Sequence, residues 1–236
     1  MKKMITTCFA ILAVVFAAPA LAQDAELFVI HGIPGLPEPV DVYADGDYLF
    51  SFDFNESAGP LALPTGSYFV EVKLQDATVL SADAMLEPGG NYTAIAHLTP
   101  PMADKLCLDG DCDTADPGIA LSLFENNVSP LDDAKVRITL RHTADAPAVD
   151  IKVNHGFRGR ELIKPLDLAN GDMPGQFGAI DSRQGNLRAV FYPAGDSTAV
   201  FDSGEVFLGA GSSYIVYAIG SLTGGSFGLF VQAIDL

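Results

Sequence analysis

One segment of this chain occurs twice, and that repeat constrains the fold more than any other feature. His31 to Gly46 reads HGIPGLPEPVDVYADG, and His142 to Gly156 reads HTADAPAVDIKVNHG. In each, an apolar strand ends in His, a Pro-bearing turn follows, then Val-Asp-Val or Val-Asp-Ile, then a turn at Gly. Further matches run in parallel: Gly66–Val72 with Gly185–Phe191, and Leu86–Tyr92 with Leu208–Tyr214. The offset of about 110 residues far exceeds the roughly 20–50 residues of a solenoid repeat, so it marks a duplicated domain and not an array.

Within each copy the apolar period is two. Tyr68, Val70, Val72 and Leu74 alternate with Phe69, Glu71, Lys73 and Gln75. Val136, Ile138 and Leu140 alternate with Arg137, Thr139 and Arg141. Such runs predict strands with one buried and one wet face. Gly (23) and Pro (15) are frequent among the 236 residues, which favours short elements joined by turns. No stretch repeats apolar residues at helical spacing for three turns. The expected fold is all-β: two tandem antiparallel β-sandwich domains of immunoglobulin-like type, 24–127 and 131–236, joined across the polar linker Asn126–Ala134. The Cys…Trp…Cys signature of antibody domains is missing, because the chain has no Trp.

Residues 1–22 read as a cleaved signal peptide. Lys2 and Lys3 precede an apolar stretch, and Ala20-Leu21-Ala22 forms a small-x-small cleavage site before Gln23. Pro19 ends the stretch too soon for a membrane anchor, and Cys8 lies inside it, not at the cleavage point where a lipoprotein needs it. The expected location is periplasmic or extracellular, with no membrane insertion after cleavage. In that oxidising setting Cys107 and Cys112 are expected to form a disulfide. Its six-residue loop limits the stabilisation to about 2 kcal/mol. The net charge of −17 supplies no cation excess to displace counterions from nucleic acid, so nucleic acid is excluded as a partner.

Three groups of residues invite a chemical reading. His31 and His142 occupy equivalent places, as ligands or proton carriers on one reading and as fixtures of the following Pro turn on the other; duplication favours the second, since a repeated fold repeats its turns. Asp41 and Asp150 also correspond. They serve glycoside hydrolysis only if they face each other across one cleft; otherwise they bond a turn or a neighbouring strand. Asp109, Asp111 and Asp113 alternate, and Asp116 follows, in an acidic loop that suits calcium, although Thr114 and Ala120 stand where an EF-hand loop has Gly and Glu. No cofactor other than calcium is expected. No GxSxG motif is present, and Gly209-Ala-Gly-Ser-Ser lacks the third Gly of a dinucleotide loop.

Pro39-Val-Asp-Val-Tyr-Ala-Asp-Gly46 and Thr143-Ala-Asp-Ala-Pro-Ala-Val-Asp-Ile151 resemble the bacterial domain-of-unknown-function 4397 family, over Glu26–Asn127 and Leu131–Leu236. The first copy departs from the pattern at Gly32-Ile-Pro-Gly-Leu-Pro37, the second at Asn154-His155-Gly156. The resemblance implies exported, β-rich, often tandem domains and supplies no catalytic residues. The expected function is therefore a non-catalytic binding or structural module of the cell envelope or extracellular space, with an envelope protein or a surface glycan as partner. The alternatives are a carbohydrate-acting hydrolase outside the cytoplasm and a calcium-dependent adhesin segment.

Overall fold

A computed structural model describes residues 23–37, 39–99, 118–155, 160–161 and 180–236, which form strands and, among the described residues, no helix. The first half contains β1 (Ala25–Gly32), β2 (Val40–Ala44), β3 (Asp47–Phe52), β4 (Ser57–Leu63), β5 (Gly66–Leu74), β6 (Ala77–Leu86), β7 (Asn91–Thr99) and β8 (Gly118–Glu125). These build two four-stranded sheets, ordered β4-β1-β7-β8 and β3-β2-β5-β6. The tight β2–β3 hairpin follows from Asp45-Gly46, both at positive φ (50° and 86°), the two-residue turn whose twist matches the flanking strands.

The second half contains β9 (Lys135–His142), β10 (Val149–His155), β11 (Arg160–Glu161), β12 (Ile180–Arg183), β13 (Gly185–Pro193), β14 (Phe201–Asp202), β15 (Val206–Leu208), β16 (Ser212–Ile219) and β17 (Gly228–Asp235). Its sheets run β12-β9-β16-β17 and β11-β10-β13-β14, with β15 also on β13. Strand for strand this repeats the first half. The continuous β6 is replaced by the two short pieces β14 and β15.

Two features differ from the expected immunoglobulin-like antiparallel arrangement. Each half has one parallel pair, β1 with β7 and β9 with β16, because the chain passes to the facing sheet twice, returning first as an antiparallel neighbour (β4, β12) and then as a parallel one on the other side. The strand order also differs: β1 sits between β4 and β7, whereas an immunoglobulin constant domain pairs its first two strands. The likeness is one of layered sheets and not of connectivity.

Three apolar clusters place the four sheets as four layers. Leu27, Val29, Val42, Val70 and Ala94 fill the space between the two sheets of the first half. Ile138, Leu140, Ile151, Leu187 and Phe191 do the same in the second. Between them, Ile30, Ile95 and Phe124 from the β4-β1-β7-β8 sheet meet Ile215, Tyr217, Ile219 and Ile234 from the β12-β9-β16-β17 sheet. These two sheets are therefore inner layers, covered on both faces, and the β3-β2-β5-β6 and β11-β10-β13-β14 sheets are outer layers. Burial on both faces corrects the expectation that Arg137 and Arg141 face water: they are only 5% and 8% exposed, because the polar face of β9 lies against the first half.

Candidate functional site

The two repeated histidines do the same local work. His31 Nδ1 accepts the Ile33 N–H (3.3 Å), and His142 Nδ1 accepts the Ala144 N–H (3.4 Å). His142 Nε2 also donates to the Pro147 carbonyl (3.0 Å), spanning its turn. The His31 ring packs against Phe52 and Phe54, with centroids 5.6 and 6.2 Å away. The turn after His142 is further tied to the β16–β17 loop. Buried Asp145 accepts the Ser221 hydroxyl (2.7 Å) and donates its N–H to the Gly220 carbonyl (2.8 Å). Gly220 has φ +79°, and a Cβ there would stand 2.2 Å from the Ser226 carbonyl oxygen. Gly220→Ala is therefore expected to cost about 2 kcal/mol or more, read from urea unfolding. An unchanged midpoint would show that the loop gives way freely.

Asp41 and Asp150 lie in different outer layers, on β2 and β10. Asp41 accepts the Ser51 hydroxyl on the neighbouring β3. Asp150 Oδ2 accepts the Gly195 N–H (3.0 Å) in the turn after β13. The next residue, Asp196, accepts the N–H groups of Ser197 and Thr198, which hold its carboxyl below the usual carboxylate range. With sheets spaced about 10 Å, the two outer layers are roughly 30 Å apart, well beyond the ~5–10 Å that separates a glycosidase carboxylate pair. The structure does not bring Asp41 and Asp150 together. The acidic residues Asp109, Asp111, Asp113 and Asp116 and the cysteines Cys107 and Cys112 lie outside the described residues.

The interface between the inner sheets holds a polar network that strand alternation alone did not reveal. Arg141 donates through Nη1 to Tyr217 Oη (2.8 Å) and Asn126 Oδ1 (3.1 Å), and through Nη2 to the Glu125 carbonyl (3.0 Å). Its guanidinium sits 4.3 Å from the Phe124 ring centroid. Asn126 Nδ2 donates to Asn91 Oδ1 and Thr93 Oγ1, while Thr93 and Tyr217 both donate to Gln232 Oε1. Arg137 reaches the Asn127 and Ser129 carbonyls and forms an ion pair with Asp181 (3.2 Å). The two arginines of β9 thus hold the linker from Glu125 to Ser129. Burial pushes the Tyr217 phenol above its ordinary value and the Arg141 guanidinium below its own.

His97, on β7, is 1% exposed. Nδ1 donates to the Leu98 carbonyl (2.8 Å), which leaves Nε2 to accept the Ser122 hydroxyl (2.9 Å). Burial lowers its pKa from 6.5; the Leu98 bond opposes this, and His142 nearby adds to it. The unfolded chain therefore binds a proton that the folded one resists. This contribution is full above about pH 6.5 and is lost as pH falls below it. The expected result is a lower urea midpoint at pH 5.5 than at pH 7.5, with a smaller difference in His97→Gln. Equal midpoints in the parent protein would contradict this sign.

The outer face of the β3-β2-β5-β6 sheet is of another kind. Tyr48, Phe69 and Met85 are 55%, 44% and 57% exposed. Tyr43 meets Tyr48 edge-on at 5.6 Å, and Lys73 Nζ lies 4.3 Å from the Tyr43 ring centroid. Phe69 stands on the wet side of β5 by strand alternation, and large rings at the wet positions of β3, β2 and β5 collect on one face.

The model of a family described as a domain of unknown function, DUF4397, matches residues 25–152, more than half of the chain. The match spans the first half and continues through β9 into β10; the strands beyond it repeat the order of the first half. A comparison with curated proteins finds no match.

Proposed function

We propose, for a chain that belongs to the DUF4397 family, a non-catalytic role as an exported binding or structural module of the cell envelope or extracellular space. In this reading residues 1–22 are a signal peptide, and 24–127 and 131–236 are two sandwich domains, immunoglobulin-like in layering only. One observation carries it. The repeated His and Asp residues that suggested chemistry each bond a turn or a neighbouring strand, and the two carboxylates sit in opposite outer layers. Such an assembly supports a rigid scaffold that presents its outer faces and loops to a partner.

The test has two arms. Protein recovered from the envelope or culture fluid should begin at Gln23. Incubation with envelope polysaccharides should release no new reducing ends. An intact Met1 terminus would overturn the export reading, and sustained release of reducing ends would overturn the non-catalytic one.

A further inference from the structure

We propose that the outer face of the β3-β2-β5-β6 sheet binds a neutral polysaccharide of equatorially linked pyranose rings, stacked on Tyr48 and Phe69. The proposal rests on the binding-module reading and names the partner's chemistry. Pyranose rings with equatorial substituents present a flat C–H face, which packs on an aromatic ring, and a rim of hydroxyls, which donate to carboxylates. Both halves of that recognition are on this face. Tyr48 and Phe69 lie on strands separated by β2, about 10 Å apart across the sheet, and the register offsets them by two residues along it (Tyr48 opposite Tyr43, Tyr43 opposite Glu71), a diagonal of roughly 12 Å that spans successive sugar rings. Asp41, Glu71 and Asp83 supply acceptors beside them, by their register on β2, β5 and β6.

The face is also held in shape. The Tyr48 hydroxyl shares a hydrogen bond with Ser51 Oγ (2.9 Å), which in turn donates to Asp41. Glu71 accepts Thr78 Oγ1 (2.8 Å) and pairs with Lys73 at 3.5 Å. Prior ordering of this kind reduces the entropy lost on binding.

Charge selects among occupants. Three carboxylates accompany one lysine, which Glu71 and the Tyr43 ring already engage. An anionic glycan is repelled. A second copy in a two-fold dimer would set the same acidic face against itself. The opposite outer layer differs: its Tyr192 lies beneath Lys152 (5.0 Å), and Arg188 pairs there with Asp202.

The test is affinity electrophoresis of the mature full chain in gels containing hydroxyethylcellulose, with alginate as the anionic comparison and chitohexaose titrated in solution. Retardation by hydroxyethylcellulose or a chitohexaose Kd, weakened about tenfold by Tyr48→Ala and by Phe69→Ala but unchanged by Phe207→Ala on β15, supports the proposal. The two target rings are solvent-exposed, and matched urea midpoints establish that the variants remain folded. No response to either neutral probe, or a response indifferent to Tyr48 and Phe69, overturns it and leaves the module reading standing. Binding to polylysine but to neither sugar also overturns it, in favour of a basic protein partner. Reducing ends released from the bound probe overturn the non-catalytic reading while leaving glycan recognition in place.

Discussion

Replacing Phe191 by Ala is expected to destabilise the protein by about 4 kcal/mol, lowering Tm by roughly 10 °C. Phe191 is fully buried between the sheets of the second half. It meets Phe201 edge-on at 5.8 Å and Phe227 at 6.2 Å, and those two rings meet each other at 5.6 Å. Truncation removes the transfer free energy of one ring, leaves a cavity that strand-borne neighbours fill poorly, and breaks two of the three edge-to-face contacts. Phe201→Ala removes a ring that is already partly exposed, so it should cost clearly less. Phe191→Leu should recover more than half of the loss by restoring volume. Urea unfolding of the three variants checks the order. Equal losses for Phe191→Ala and Phe201→Ala would show that the second half does not close over Phe191 as described.

Much of this fold was legible in the sequence because period-two alternation has few solutions. The strands around Tyr68–Leu74 and Val136–Leu140 are where alternation put them, and the duplication reappears as an identical strand order in both halves. The direction of pairing was not legible. Nothing in a strand's own residues states whether its neighbour runs parallel, so β1 with β7 and β9 with β16 had to be seen.

The misread face of β9 has a different cause. Arg137, Thr139 and Arg141 look like a wet side, since charge at every second position ordinarily means water. Their burial comes from a second sheet that strand-level alternation does not describe. One signal was available: in Asn91–Thr99, NYTAIAHLT, the apolar Ile95 interrupts an otherwise polar set of alternate residues (Asn91, Thr93, His97, Thr99), as suits a strand covered on both faces, and every residue of it but the last is buried. The histidine and aspartate pairs were recognisable as equivalent, because a duplicated fold repeats its turns; what each side chain bonds depends on neighbours such as Ser51 and Gly195 that lie well away in sequence. The aromatic face was harder to see, because Tyr48 and Phe69 are far apart in sequence and become neighbours only once β3, β2 and β5 are in register.

Arg141→Ala is expected to cost about 3 kcal/mol, a large loss for an arginine that pairs with no carboxylate among the described residues. The side chain is buried between the inner sheets, where its donors satisfy Tyr217, Asn126 and the Glu125 carbonyl. Truncation strands those acceptors where water replaces the guanidinium poorly; each such acceptor costs about 1–3 kcal/mol, offset in part by relief of the buried charge. The contact with the Phe124 ring is lost as well. Arg141→Lys should rescue little, because an ammonium cannot fork toward a linker carbonyl and a phenol at once. Arg141→Met fills the volume without the charge and separates packing from hydrogen bonding. A loss of about 3 kcal/mol for Ala with a smaller one for Met assigns part of the cost to packing, whereas equal losses assign it to the hydrogen bonds. Amide exchange supplies the second readout: Asn126 donates its backbone N–H to the Asn91 carbonyl (2.7 Å), so loosening the arginine grip should speed exchange at Asn126 before it reaches the outer strands. An Ala variant with the parent's midpoint and the parent's exchange at Asn126 would mean that Arg141 adds nothing to the joint between the two halves.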